Sequence, residues 1–507
     1  MTYDYVVVGA GTAGCVLATR LSEDPDATVL LLEAGGDERR PDVEIPERWS
    51  ELLGTDADWA YETVVQETTG RAYPAPRGRV LGGSGSINCL THLRGHRLDY
   101  EEWARLGAEG WDYAGVLPSF KRMEDVPGGD PAFRGSGGPL HPSPGTEQDA
   151  LSQAFAGGAL QLGHTLTDDL NAYNMMGVGY ADALVLDGRR ESTATAYLRP
   201  ALDAGRPNLT VATGALARRL VLDGTRCTGV DYAAGGALHT ARVADGGEVV
   251  LCSGAVGSPH LLMLSGIGPA ADLDAAGVAV VLDAPGVGAN LQDHIMLAGV
   301  RYRSARQTGP DDAGIGGGST LMAVSDGLDG HGPDLMIAAM NIDYYLGWQS
   351  ELPDSFTFGI GHMRPRSRGT VRLLSADPGV KPRIDPRYVS DPYDMDQLIA
   401  GVELTDAIVQ TGAFGDWGGA SETTRLLQLD RPALESAIRD AVSSYFHLSG
   451  TCRMGKDDMS VVGPNLRVHG IAGLRVADAS IMPAVVSCNT NAASAMIGEK
   501  AADLLVA

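Results

Sequence analysis

Two short apolar runs near the start of the chain, Tyr5–Val8 and Val29–Leu32, flank the glycine string Gly9-Ala10-Gly11-Thr12-Ala13-Gly14. The first run is β-branched, as buried strands are. Cys15–Leu21, after the glycines, has apolar residues at helical spacing, and Glu33 closes the second run, 19 residues beyond Gly14 (33 − 14). This order predicts a strand, a glycine turn, a helix and a second strand ending in an acid. Gly9 would permit the tight turn, Gly11 would let the backbone approach a pyrophosphate, and Gly14 would let helix and strand pack closely. Glu33 would accept hydrogen bonds from a ribose and would disfavour a cofactor with a 2′-phosphate. The expectation is a dinucleotide fold, and the motif leaves NAD and FAD as alternatives.

Composition narrows the partners. A chain of 507 residues buries a large core and suggests more than one folding unit, and 44% hydrophobic with 20% charged residues is globular usage. A net charge of −25 argues against nucleic acid or an anionic membrane. The six cysteines are scattered with no CxxC pair, so neither disulfides nor a zinc cluster is expected. The early glycine motif and the lack of a long apolar run predict a soluble, cytoplasmic protein with no bound metal.

Further along, Arg77-Gly-Arg-Val-Leu-Gly-Gly-Ser-Gly-Ser-Ile-Asn88 offers a second loop rich in main-chain N–H groups. A helical pattern and then loop run from Thr146 to about Gly188. Leu209–Thr213 and Glu248–Cys252 read as strands with a hairpin-like stretch between them, and Ala255–Gly268 reads as a capped apolar helix. Gly314–Ser319 reads as a mobile loop. Ser355–His362 and Gly369–Leu374 suggest antiparallel strands, covered by helices at Met395–Gln410 and Ala433–Ser443. Asn489-Thr490-Asn491 opens a final helix, Ala492–Leu505, whose positive end follows two asparagines.

Three other signals carry less. Gly450–Lys456 nearly spells a phosphate loop, but Asp457 stands where Ser or Thr is needed. His92 and His96 have metal spacing without a third ligand. Asp293-His294 resembles part of a nucleophile's relay, yet no G-x-S-x-G elbow exists for it to serve.

With the glycine motif, VLGGSGSIN at 80–88, DYEEW at 99–103, Gly254–Gly268, PGVGANLQDH at 285–294, FHLSGTCRMG at 446–455 and RVADASIMP at 475–483, the chain resembles the glucose–methanol–choline (GMC) family of FAD-dependent oxidoreductases over nearly its whole length. The resemblance implies a Rossmann-like FAD-binding domain, α/β in class, at 1–145, 191–297 and 444–507. It implies an inserted α+β substrate domain on an antiparallel sheet at 146–190 and 298–443. It implies FAD rather than NAD, held non-covalently because Ile87 stands where covalent relatives carry a histidine. His447 falls at the family's catalytic histidine and Asn489 at its partner. The cofactor contacts it implies are Gly9, Gly11, Thr12, Ala13, Gly14, Glu33, Ala34, Trp59, Arg79, Gly82, Gly83, Ser84, Asn88, Leu90, Ala217, Asp478, Ala479, Thr490 and Asn491.

The chemistry implied is removal of an alcohol proton by neutral His447, hydride transfer to flavin, and reoxidation by O2 or another acceptor. The nearest flavour is that of bacterial aryl-alcohol, hydroxymethylfurfural and choline types. Aromatic residues are only 6% and 298–443 shows no clear aromatic cage, so choline is not favoured. Tyr445 and Phe446 are expected to wall the pocket, which favours benzylic or allylic alcohols, whose C–H bonds are weaker. A choline-like dehydrogenase and a flavin-containing hydroxynitrile lyase are the alternatives, with a non-catalytic flavoprotein the plainest.

Overall fold

The structure, a computed structural model, describes residues 2–506 apart from 145–148, 307–317, 326–329, 331, 341–349, 353 and 419–424. Thr146 and most of Gly314–Ser319 therefore lie outside the described residues.

Thr2–Val8 is the hub of a seven-stranded sheet. Val6, Val7 and Val8 pair in parallel with Leu30, Leu31 and Leu32 on one side and with Val249, Val250 and Leu251 on the other. All nine are buried, which is why the two opening runs are continuously apolar rather than alternating. Leu209–Ala212 extends the sheet beyond Val29–Leu32, and Leu474–Val476 pairs in parallel with Ala237–Leu251. Leu216–Asp223, Arg226–Ala234 and Ala237–Leu251 form the antiparallel part, matching the expected hairpin. The helices Thr12–Leu21 and Asn491–Val506 pack against each other beside this sheet.

The second sheet has six strands in the order Val442–Ser444, Ile295–Arg303, Ser355–His362, Leu335–Met340, Ser319–Ala323 and Gly177–Tyr180, antiparallel throughout. Its two faces differ, as period-2 alternation requires. Leu321, Ile337 and Ile360 point into a core shared with the helices Ala150–Gln161, Pro392–Val409 and Arg431–Ala441. Their neighbours Thr320, Ala338 and Gly359 line a cavity on the other face. This core also takes in Tyr73.

Several boundaries differ from the sequence reading. The helix expected over Ala255–Gly268 is Gly254–Leu264, and Ile267–Gly268 beyond it pairs as a short strand with Leu282–Asp283. The helix expected over Ala433–Ser443 ends at Ala441, because β-branched Val442 and the two serines after it join the sheet edge beside Ile295–Leu297. The strand expected over Gly369–Leu374 is Thr370–Arg372, and it pairs with Arg383–Asp385 in a separate ribbon. The fold thus couples a Rossmann-like α/β layer with an antiparallel sheet roofed by helices.

Candidate active site

A cavity of about 1160 Å³ runs from the glycine turn to the open face of the antiparallel sheet. That exceeds the usual small-ligand pocket of up to roughly 1,000 Å³, so there is room for an extended cofactor plus a substrate. At one end the two glycine loops nearly touch: a Cβ on Gly83 would stand 2.7 Å from the Gly11 Cα. The Thr12 hydroxyl donates to Asn491 Oδ1 at 2.8 Å, bringing the N-terminus of the last helix to the same place. Main-chain N–H groups and a positive helix end thus converge where a pyrophosphate would sit.

Gly9, Gly11, Thr12, Ala13, Glu33, Ala34, Trp59, Arg79, Gly83, Ser84, Asn88, Leu90, Ala217, Asp478, Ala479, Thr490 and Asn491 all line this cavity, with His447, Asn489, Tyr445 and Phe446. Gly14 and Gly82 do not line it. A Cβ on Gly14 would fall 1.9 Å from the Gly9 carbonyl oxygen, so Gly14 serves the packing of the turn on its helix. Gly82 takes φ +85° ahead of the short helical turn Gly83–Ser86, with Ser86 Oγ 2.2 Å from where its Cβ would be.

The acids on the wall are already engaged. Glu33 is buried and accepts from the main-chain N–H of Ala10 at 2.9 Å and of Gly35 at 2.8 Å. Burial pushes its carboxyl up to about 7, against the pull of these N–H groups. Asp478 accepts from the Gly254 N–H at 2.9 Å, the Ser480 N–H at 2.8 Å and the Ser258 hydroxyl at 2.6 Å. Asp149 caps its helix by accepting from the Ser152 N–H at 2.9 Å. Arg79 lies over the Trp59 ring, 5.1 Å from its centroid, and Trp59 stacks on Tyr61 at 5.8 Å.

At the other end, His447 follows the edge strand Val442–Ser444 and Asn489 precedes the last helix, so two distant segments meet. His447 Nδ1 lies 2.8 Å from His294 Nδ1, and the Asn489 amide Nδ2 lies 3.3 Å from His447 Nε2. With the amide donating, Nε2 is the acceptor, so Nδ1 carries the proton and donates to His294. His294 then carries its own proton on Nε2. The Asn489 Oδ1 is buried without a partner among the described residues, an acceptor left for a ligand. Burial holds His447 well below its ordinary pKa, helped by His294 and Arg77, and holds His294 down at about 3. Both rings are neutral near pH 7.

Tyr445 stacks on the His447 ring at 4.9 Å and 17°. Met296, Met336, Ala338 and Met340 complete this end, and Met296 and Met340 both approach Gly359. Sequence reasoning missed the methionines, Arg77 and the link from His294 to His447. The PGVGANLQDH string pointed to His294, but nothing local placed it beside a residue 153 positions away.

Comparison with known proteins agrees with this architecture. The profile of the GMC oxidoreductases matches residues 3–296 in its N-terminal part and 365–498 in its C-terminal part. The chain is 39% identical to the oxygen-dependent choline dehydrogenase of Brucella ovis, covering 99% of this chain and 95% of that protein. It is also 39% identical to the mitochondrial choline dehydrogenase of Homo sapiens, over 99% of this chain and 89% of that one. The crystal structure of pyridoxine 4-oxidase from Mesorbium loti superposes with a TM-score of 0.94 at 34% identity, covering 99% of each chain. The chain belongs to the GMC oxidoreductase family. It is an FAD-dependent alcohol oxidoreductase acting on CH–OH groups, and FAD is the cofactor that its glycine loops, Glu33 wall and last helix fit.

Proposed function

We propose that this protein oxidises a primary alcohol, benzylic or allylic by preference, to the aldehyde, with His447 as the base and O2 as the final acceptor. The observation that carries this reading is the neutral His447 Nε2 beside the unpartnered Asn489 Oδ1, in a pocket of Tyr445 and methionines. The substrate hydroxyl takes the place of the Asn489 amide at Nε2 and gives its proton there, while the released amide N–H donates to the substrate oxygen without competing for that proton. His294 receives the Nδ1–H bond and so keeps the Nε2 lone pair toward the cavity. FAD, when bound, supplies the hydride acceptor, and the last helix favours negative charge beside it.

The methionine and tyrosine surface suits a flat, uncharged substrate. The likeness to pyridoxine 4-oxidase, whose name denotes oxidation of a hydroxymethylated aromatic ring, supports both the substrate class and oxygen as acceptor. The likeness to choline dehydrogenases supports choline as the second reading. Against it, the wall carboxylates Glu33, Asp478 and Asp149 each already accept main-chain N–H groups, which offsets part of the charge they could offer a quaternary ammonium. The same reading divides the chain into FAD and substrate units at the limits expected from sequence. The second core, drawn mainly from Leu151–Ala159, Val178 and Ile295–Val442, supports that division. At Ile87, the cavity-wall position where covalent relatives carry a histidine, no nucleophile is available, so FAD is held non-covalently and acid precipitation leaves the colour in solution.

The test is kcat/KM for benzyl alcohol, cinnamyl alcohol and choline, with peroxide monitored in air. The aromatic alcohols should lead with stoichiometric peroxide. Choline ahead by about tenfold, roughly 1.4 kcal/mol in transition-state binding, overturns the substrate class. Flavin reduction without peroxide overturns the acceptor.

A further inference from the structure

Asp293 is 4% exposed and does not line the cavity, yet its carboxylate collects three donors. Oδ1 accepts from the His447 main-chain N–H at 2.7 Å. Oδ2 accepts from the Tyr388 hydroxyl at 2.5 Å and the Ser444 hydroxyl at 2.5 Å. Ser444 Oγ in turn accepts from the Phe446 N–H at 2.8 Å. Burial pushes the Asp293 carboxyl up, against the pull of the Ser444 and Tyr388 hydroxyls and of Arg77, whose guanidinium donates to the Phe446 carbonyl. Both polar atoms of Phe446 and the N–H that follows are therefore held.

The residue so held is strained. Phe446 sits at φ +64°, the left-handed region that bulky side chains avoid. Such a conformation persists only when its surroundings over-determine it, and here they do so through one buried carboxylate, two hydroxyls and one guanidinium. If the turn relaxed to negative φ, the His447 ring would swing away from His294 and Asn489.

We propose that Asp293 is a positioning residue, acting through the main chain of Phe446 and His447 to hold the left-handed turn that aims the His447 ring into the cavity. The proposal rests on the reading of His447 as the base. A purely main-chain role has a signature. In Asp293→Asn the amide oxygen can still accept from the His447 N–H, and Tyr388 and Ser444 can turn to accept from the amide nitrogen. Asparagine preserves the clamp, whereas alanine removes it.

The experiment compares FAD-loaded wild type, Asp293→Asn, Asp293→Ala and His447→Ala by anaerobic stopped flow, using whichever of benzyl alcohol and choline reduces the wild-type flavin faster. Hydrogen exchange of the His447 amide, read by mass spectrometry on the peptide that contains it, is the second readout. Asp293→Ala should slow the limiting rate of flavin reduction by about 100-fold, the scale of a 1 Å misplacement, while the substrate dissociation constant changes less than about threefold. Its His447 amide should exchange faster. Asp293→Asn should stay within about threefold of wild type in rate, because the main-chain bond survives, and should keep the amide protected. Wild-type rates in Asp293→Ala, with His447→Ala slow, overturn the proposal and leave the base intact. Asp293→Asn as slow as Asp293→Ala also overturns it, since charge rather than the main chain would then matter. Wild-type rates in His447→Ala would instead defeat the base reading. Should Asp293→Ala yield no folded holoenzyme, Tyr388→Phe removes one donor from the carboxylate. A rate about threefold to tenfold lower, on the scale of one hydrogen bond, with faster amide exchange, supports the clamp, and wild-type behaviour in both overturns it.

Discussion

His294 and His447 meet nitrogen to nitrogen, Nδ1 to Nδ1 at 2.8 Å, with their rings nearly perpendicular at 88°. Two neutral imidazoles can share such a contact only if one donates and the other accepts. The Asn489 amide at Nε2 makes His447 the donor. His294→Ala therefore leaves the His447 N–H without its acceptor and frees the ring to adopt the other tautomer. Flavin reduction under anaerobic conditions should slow by about 10- to 100-fold, a fraction of the usual share of a general base, with FAD still bound. A wild-type rate would show that His294 does not select the tautomer.

Because burial keeps His447 well below 6.5, it is in its working, unprotonated form throughout the neutral range. Lowering the pH removes the base only when its folded pKa is reached. The kcat/KM profile should be level from neutral pH down to about 6.5 and fall at lower pH, below the usual histidine range. A pH series with the best alcohol substrate measures this. An acid limb centred at or above 6.5 would contradict a base of depressed pKa.

Glu33→Ala tests two consequences at once. The carboxylate accepts from Ala10 and Gly35, so its loss orphans two main-chain N–H groups in the turn that receives the cofactor. Unmet buried donors cost about 1–3 kcal/mol each, so the melting temperature of the apoprotein should drop by several degrees. FAD occupancy after dilution should drop as well. Full occupancy would remove Glu33 from the ribose role, and an unchanged melting temperature would remove it from the turn.

Much of this was legible because the information is local. The spacing from Gly9 to Glu33 dictates turn, helix and strand, since each glycine answers a steric need that neighbouring residues create. The Gly14 Cβ position, 1.9 Å from the Gly9 carbonyl oxygen, shows that need directly. His447 and Asn489 could be picked out from the strings around them. What the sequence did not disclose depends on pairings between distant segments. Gly177–Tyr180 joins the antiparallel sheet by pairing with Ser319–Met322, which no local pattern reports. Tyr388 reaches Asp293 across 95 positions. The Asp293-His294 pair was visible as a charged dipeptide, but its purpose appears only when Ile295–Leu297 pairs with Val442–Ser444 and carries both residues to the start of the His447 turn. The methionine face was hidden for the same reason, because alternation tells which residues share a face but not what that face looks upon.

Whether His447 takes the alcohol proton is decided by anaerobic stopped-flow reduction of the bound flavin in His447→Ala. The variant should fold and keep FAD, because His447 bonds chiefly to His294 and Asn489 rather than to the glycine loops. Flavin reduction by the best alcohol substrate should be slower than wild type by about 10²- to 10⁴-fold. Reduction at a near-wild-type rate in the FAD-loaded variant would contradict His447 as the base.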